Sequence, residues 1–259
     1  MTTAALEPTT LDISGTPRIP LSRLVLVELR KLADTRAGKW LLITIGVITA
    51  LIIGVFFLTA KTSDRTFLNF VGVTATPQGF LLPVLGILLV TQEWTQRTAL
   101  VSFTLVPVRS RVMVAKVLAA LVAGLAAIAL ALGIAAVATL LGGADNAWAQ
   151  IGADDIGKFA LLQASGVLQG LAFGLLFLNS AAAIVTYFVL PTAFSIVAGL
   201  WKPLEEAAPW VDLGTSQQPL FSGTDLSTDQ WLHLATGTLI WVVLPFALGL
   251  LRVLRAEVK

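Results

Sequence analysis

Thr91 to Lys116 reads TQEWTQRTALVSFTLVPVRSRVMVAK, and its charges interrupt two long apolar runs. From Gln92 to Phe103 polar and apolar residues mix as they do on a helix lying along a surface. In such a helix Trp94, Thr98 and Val101 share one face, while Gln96 and Arg97 turn away from it. Pro107 breaks the run, and Arg109, Arg111 and Lys116 follow within one short segment. Basic residues this close to an apolar span mark a cytoplasmic loop. Two readings fit the stretch: an interfacial loop whose cations bind lipid headgroups, or a helix held out for a partner to grip.

Outward from this stretch, composition sets the class. The chain of 259 residues is 56% hydrophobic and 12% charged, with a mean hydropathy of +0.87. Soluble domains carry about a quarter of their residues as charges, so this is the composition of a membrane protein. It has no Cys, which excludes disulfides and thiolate metal sites, and its single histidine, His233, is read as structural or solvated. No HExxH or other paired-ligand motif occurs. A pI near 9.2 could suggest nucleic acid, but a net charge of +2 spread over loops makes no binding stripe.

Residues 1–19 are rich in Thr and Pro and are read as a disordered cytoplasmic segment, unlike a signal peptide. Ile19 to Arg36 is patterned differently. Leu21, Val25 and Leu32 share a face and Arg23, Arg30 and Asp34 the opposite one, which predicts an amphipathic helix over 20–36 lying in the membrane interface. Glu28 breaks that pattern at the centre of the apolar arc. Either it snorkels and pairs with Lys31, or it faces a cation elsewhere in the fold, with Arg97 a candidate.

The sequence predicts an all-α, polytopic domain over 20–259 with six spans at about 40–60, 77–92, 117–141, 159–178, 181–200 and 231–251, the second marginal and broken by Pro83. With a cytoplasmic amino terminus, the inside segments hold thirteen of the 17 Lys and Arg residues and the outside loops only Lys61, Arg65, Lys158 and Lys202. That bias places both termini in the cytoplasm. Span three carries Ala119, Ala123, Ala127, Ala131 and Ala135 at four-residue spacing, and span four carries Gly166, Gly170 and Gly174 likewise, with Gln163 on the same stripe. Rows of small residues let helix backbones approach closely, and Gln163 is expected to hydrogen-bond a neighbouring helix. None of the six predicted spans contains Asp, Glu, Lys or Arg, which argues against carboxylate-based proton coupling but leaves sodium coupling through unwound backbone open.

Gly152 to Phe159, GADDIGKF, follows a phosphate-binding pattern until Phe159 replaces the hydroxyl residue that would ligate magnesium. Asp154 and Asp155 would repel phosphate besides, so no nucleotide, cofactor or metal site and no catalytic residue is expected on this chain. The last outside segment, 201–230, carries Trp201 and Trp210, with Trp231 just beyond it, as interfacial anchors and is read as short surface helices, a solvated cap or an exit gate.

ELRK (Glu28 to Lys31) in the amphipathic helix, six spans, E-W-x-x-x-T (Glu93 to Thr98), P-x-R-x-R (Pro107 to Arg111) with Ala115-Lys116 after it, and PLFSG (Pro219 to Gly223) together resemble the permease subunits of type-2 ABC exporters. That resemblance covers nearly the whole chain from about Leu21. One departure is Arg97, where the family often has Gly before the Thr. The resemblance implies a plasma- or inner-membrane subunit that pairs with a second permease, an identical copy or a paralogue. It further implies that Glu93, Trp94, Arg97, Thr98, Val101, Pro107, Arg109 and Arg111 meet a cytoplasmic ATPase that holds ATP and magnesium. The amphipathic helix around Glu28, Arg30 and Lys31 would pack against that segment, with membrane lipid beside it and no nucleic acid. A sodium-coupled carrier and a non-transporting scaffold or sensor are the alternatives. Single cysteines at Ser110 and Ser222 are expected to react with a membrane-impermeant maleimide from opposite sides, and reaction of both from outside would overturn this topology.

Overall fold

In the computed structural model, which describes residues 19–149, 152–221 and 225–256, all regular structure is helical. The segment read as disordered lies outside the described residues except for Ile19, as do Ser222, Gly223 and Lys259. Eleven α-helices run in order: α1 (Leu21–Asp34), α2 (Arg36–Thr59), α3 (Phe67–Thr95), α4 (Ala99–Leu105), α5 (Arg109–Gly142), α6 (Ala153–Phe177), α7 (Ser180–Leu200), α8 (Lys202–Val211), α9 (Leu213–Gln217), α10 (Thr228–Thr238) and α11 (Leu244–Arg255). Five of them, α2, α3, α5, α6 and α7, and the run from Thr228 to Arg255 are long and apolar enough to cross a membrane. The architecture is that of a multi-pass membrane protein.

The first and fourth spans begin earlier than expected, at Arg36 and Ala153, and three other starts differ from the sequence reading for a local reason. The second span begins at Phe67, not Pro77, because Thr66 accepts the Asn69 N–H as a helix cap and Phe70 packs against Phe56 and Phe57. Pro77 and Pro83 lie inside that continuous helix, as membrane helices tolerate when neighbouring groups replace the lost hydrogen bonds. The third span begins at Arg109, so Lys116 stands about two turns inside a helix. The sixth begins at Thr228, capped by Ser227, and contains a widened turn at Leu239–Val243 just ahead of Pro245, which cannot donate to a preceding carbonyl.

The interior helices are α3 and α6, each with 56% of its most apolar window buried, against 11% for α7 and 17% for α2. Their contact runs along the glycine stripe. A Cβ added at Gly170 would lie 2.1 Å from the Pro83 carbonyl oxygen, at Gly174 3.1 Å from the Ile87 carbonyl oxygen, and at Gly166 3.4 Å from the Pro83 ring. Gln163 donates from Nε2 to Gln78 Oε1 at 3.1 Å, and Gln78 donates to the Ala127 carbonyl at 3.4 Å, which ties α6, α3 and α5 together in the interior. All five alanines of the α5 row are buried.

GADDIGKF is a helix start: Gly152 donates its N–H to Asp155 Oδ2 at 2.9 Å, and Asp154 and Asp155 sit in the first turn, where the helix dipole favours carboxylates. At the same end α8 and α9 fold over the bundle. Asp212, buried, accepts from Thr215 and Ser195, and Trp241 donates to the Val211 carbonyl at 2.7 Å. His233 packs edge-on to Trp210.

Gly170→Ala is expected to destabilise the protein by about 1–3 kcal/mol, because backbone must move to admit the methyl group. Gly133→Ala meets nothing within 4 Å and should be neutral or stabilising by up to about 1 kcal/mol. Thermal unfolding in detergent compares the two, and equal melting temperatures would remove the close-approach argument.

Candidate functional site

At the end of the bundle where α1 lies, four charged side chains close into a ring. Lys116 on α5 donates to Glu28 Oε2 at 2.5 Å, lies 3.1 Å from Glu93 Oε2, and donates to the Leu89 carbonyl at 3.1 Å. Lys31 on α1 donates to Glu28 Oε1 at 2.8 Å, Glu93 Oε1 at 2.6 Å and Ser102 Oγ at 3.5 Å. Ser102, on α4, in turn donates to Glu93 Oε1 at 2.6 Å. Each carboxylate bridges both ammoniums: Lys31 makes three hydrogen bonds, and Lys116 makes two besides its ion pair with Glu93. Four helices, α1, α3, α4 and α5, meet in this one network.

Burial is near complete for three of the four: Lys116 is 1% exposed and Glu28 and Glu93 are 3% exposed, whereas the Lys31 side chain is 33% exposed. Desolvation works against the Lys31 ammonium, but Glu28 and Glu93 beside it hold its pKa above the ordinary lysine value of 10.5. Its contribution to stability is therefore fully present below pH 10.5 and is lost only as the pH rises further.

The cation facing Glu28 from elsewhere in the fold is Lys116, not Arg97, and Lys31 pairs with the same carboxylate from its own helix. The absence of charge from the predicted spans also needs correction, since α3 carries Glu93 and α5 carries Lys116, both buried. The sequence hid this because both residues fall just outside the apolar runs, although each lies within the spanning helix. Glu28, a carboxylate in an apolar arc, was the one signal that a buried partner existed.

Between α3 and α4 the chain does not form the single helix expected from Gln92 to Phe103. It breaks at Arg97, whose φ of 58° is in the left-handed region. A non-glycine residue there carries some strain, which explains why glycine suits this position. The break separates Trp94 from Thr98 and Val101. Trp94 turns inward, half-buried against Phe103 with ring centroids 6.3 Å apart, while Arg97, Thr98 and Val101 are exposed.

The basic residues after exposed Pro107 are tied into the fold. Arg109 donates to the carbonyls of Val253 (2.9 Å), Leu254 (3.3 Å) and Ala256 (2.8 Å), satisfying the end of α11, and lies 5.0 Å from the Phe103 ring centroid. Arg111 donates to the Ile19 carbonyl at 2.6 Å, ahead of α1, and Arg252 donates to the Leu176 carbonyl at the end of α6. Arg30 is exposed and belongs to no ion pair among the described residues.

Beside the ring, α1, the end of α3 and α4 enclose a cavity of about 510 Å³, lined in part by Leu24, Val27, Gln92, Val101 and Leu105. No three of Asp, Glu, His and Cys converge as metal ligands among the described residues. No family model matches the chain, and no curated protein matches it.

Lys116→Met leaves two buried carboxylates with one ammonium and is expected to cost about 3–5 kcal/mol. Adding Glu28→Leu, which leaves the Lys31–Glu93 pair, should recover most of that loss. The check is the apparent melting temperature of the parent, both single variants and the double variant. Additive losses in the double variant would show that the ring is not an interacting unit.

Proposed function

We propose that this chain is the membrane-spanning subunit of an ATP-driven exporter, a type-2 ABC permease that couples to a separate ATPase at the end of the bundle carrying the charge ring. The observation that supports this is the ring itself. It binds α4, the exposed helical segment between the second and third spanning helices, to the amphipathic α1 and to the bodies of α3 and α5. A push on α4 would therefore reach two spanning helices through short polar contacts.

The same end holds Arg23, Arg30, Arg36, Lys39, Arg97, Arg109, Arg111, Arg252 and Arg255, so the positive-inside bias makes it the cytoplasmic end. On α4, Ala99 and Phe103 are buried while Leu100, Val101 and Leu105 are 49%, 58% and 71% exposed. In this reading Leu100, which does not line the cavity beside the ring, seats in the ATPase together with Arg97, and α1 lies in the inner membrane interface. Trp94 supports α4 from within and is not the anchor. ATP binding and hydrolysis on the partner would then drive two paired permease chains between inward- and outward-open arrangements, moving a lipophilic or amphiphilic cargo outward.

Leu100→Asp tests this. An affinity-tagged parent chain extracted from its native membrane should carry with it a subunit that hydrolyses ATP. The variant should recover that subunit about thirtyfold less, the effect of losing an anchor worth about 2 kcal/mol, while remaining membrane-inserted and monodisperse. Equal recovery with the variant, or a parent that carries no ATP-hydrolysing subunit, defeats the reading.

A further inference from the structure

We infer that the cavity between α1, the end of α3 and α4 is a binding site for an anionic phospholipid, which places its phosphate-bearing headgroup at Gln92 and Arg23 and the upper part of an acyl chain along the apolar walls. The volume, about 510 Å³, falls in the range of roughly 300–1,000 Å³ typical of small-ligand sites. Its walls are mainly apolar, with Leu24 and Val27 from α1 facing Val101 and Leu105 from α4.

The polar groups point to an acceptor. Gln92 is 9% exposed, its Oε1 accepts the Thr35 hydroxyl at 3.4 Å, and its Nε2 is buried with no hydrogen-bond partner among the described residues. A buried amide donor left without an acceptor is destabilising, and a ligand oxygen reaching it would relieve that. Arg23 also lines the cavity, is exposed, and makes no ion pair among the described residues. The two carboxylates on the wall do not oppose an anion, because Lys31 and Lys116 balance them one for one. The amide donor and the Arg23 guanidinium together fit a phosphodiester.

The apolar side suits the same ligand. Val27, Val101 and Leu105 line the cavity and are all more than 40% exposed. In the membrane interface those side chains would meet acyl chains at the level where a headgroup reaches Gln92. The site requires only the membrane and does not depend on a transport role.

The chain is delipidated in detergent and titrated with phosphatidylglycerol, followed by native mass spectrometry and by the lipid-induced rise in melting temperature. Diacylglycerol, which lacks the phosphate, and inorganic phosphate, which lacks the chains, are the comparison probes. Phosphatidylglycerol should bind and stabilise, Gln92→Leu should weaken it at least about tenfold, and Arg23→Ala about fivefold. Val101→Trp, which fills the cavity from its exposed rim without touching the core, should abolish binding even if Gln92→Leu folds poorly. The inference fails if Val101→Trp binds phosphatidylglycerol like the parent, if diacylglycerol binds as tightly, or if inorganic phosphate alone binds as tightly. It fails equally if a label on Val101→Cys is protected by a co-purifying protein and not by phosphatidylglycerol, which would assign the groove to a protein partner.

Discussion

The Lys116 ammonium is the constraint on which this end of the molecule depends. A lysine 1% exposed inside a spanning helix is tenable only when every N–H is met and its charge is balanced, since desolvation of an isolated ion costs several kcal/mol. Glu28 and Glu93 supply the charge, and Glu28 and the Leu89 carbonyl accept hydrogen bonds from Lys116. Two carboxylates around one ammonium would leave excess negative charge, and Lys31 offsets it from the more exposed side. The position of α1 follows: its apolar arc packs through Leu24 and Leu32, and its one buried charge sets its register against α5.

How much of this could be read from the sequence depended on whether the signal was local. The small-residue rows of α5 and α6 were legible because a glycine repeated every fourth residue in a helix has few uses besides close approach, and Gly170 does lie against the Pro83 backbone. The anomaly of Glu28 was legible for a similar reason, since a carboxylate is out of place in an apolar arc. Its partners were not. Lys116 reads as the last of a run of loop cations after Pro107, and only the start of α5 at Arg109 carries it into the interior. Glu93 reads as the head of a surface helix, whereas it is the last buried turn of α3. Hydropathy windows end at charges, so they cannot show a charge that a fold has buried.

Arg97 illustrates the opposite limit. A left-handed backbone at a non-glycine residue leaves no hydropathy signal, yet it divides one expected helix into two and decides which face of α4 is exposed. It also places Ser102, rather than a residue in line with Trp94, against Glu93. A one-residue change of register at this turn would carry the hydroxyl out of reach of the ring.

The two joints of the bundle differ in physical kind, and under the proposed function that difference has a use. Along α3 and α6 the contact is backbone against backbone, with the Gly170 position closed by the Pro83 carbonyl. Such a joint resists sliding, because any displacement forces atoms into overlap. At the other joint α1, α4 and α5 are held to α3 by directional contacts between charged groups, most of them between 2.5 and 3.1 Å. These favour a discrete arrangement over a continuum of nearby ones, since a shift of even about 1 Å takes several partners beyond bonding distance together. Apolar packing of the same volume would often be as stable or more so, but it would yield gradually. A segment that must pass a push from α4 into α3 and α5 is better served by a connection that stays rigid until the whole network rearranges, and the ring has that property because its members share one another's partners.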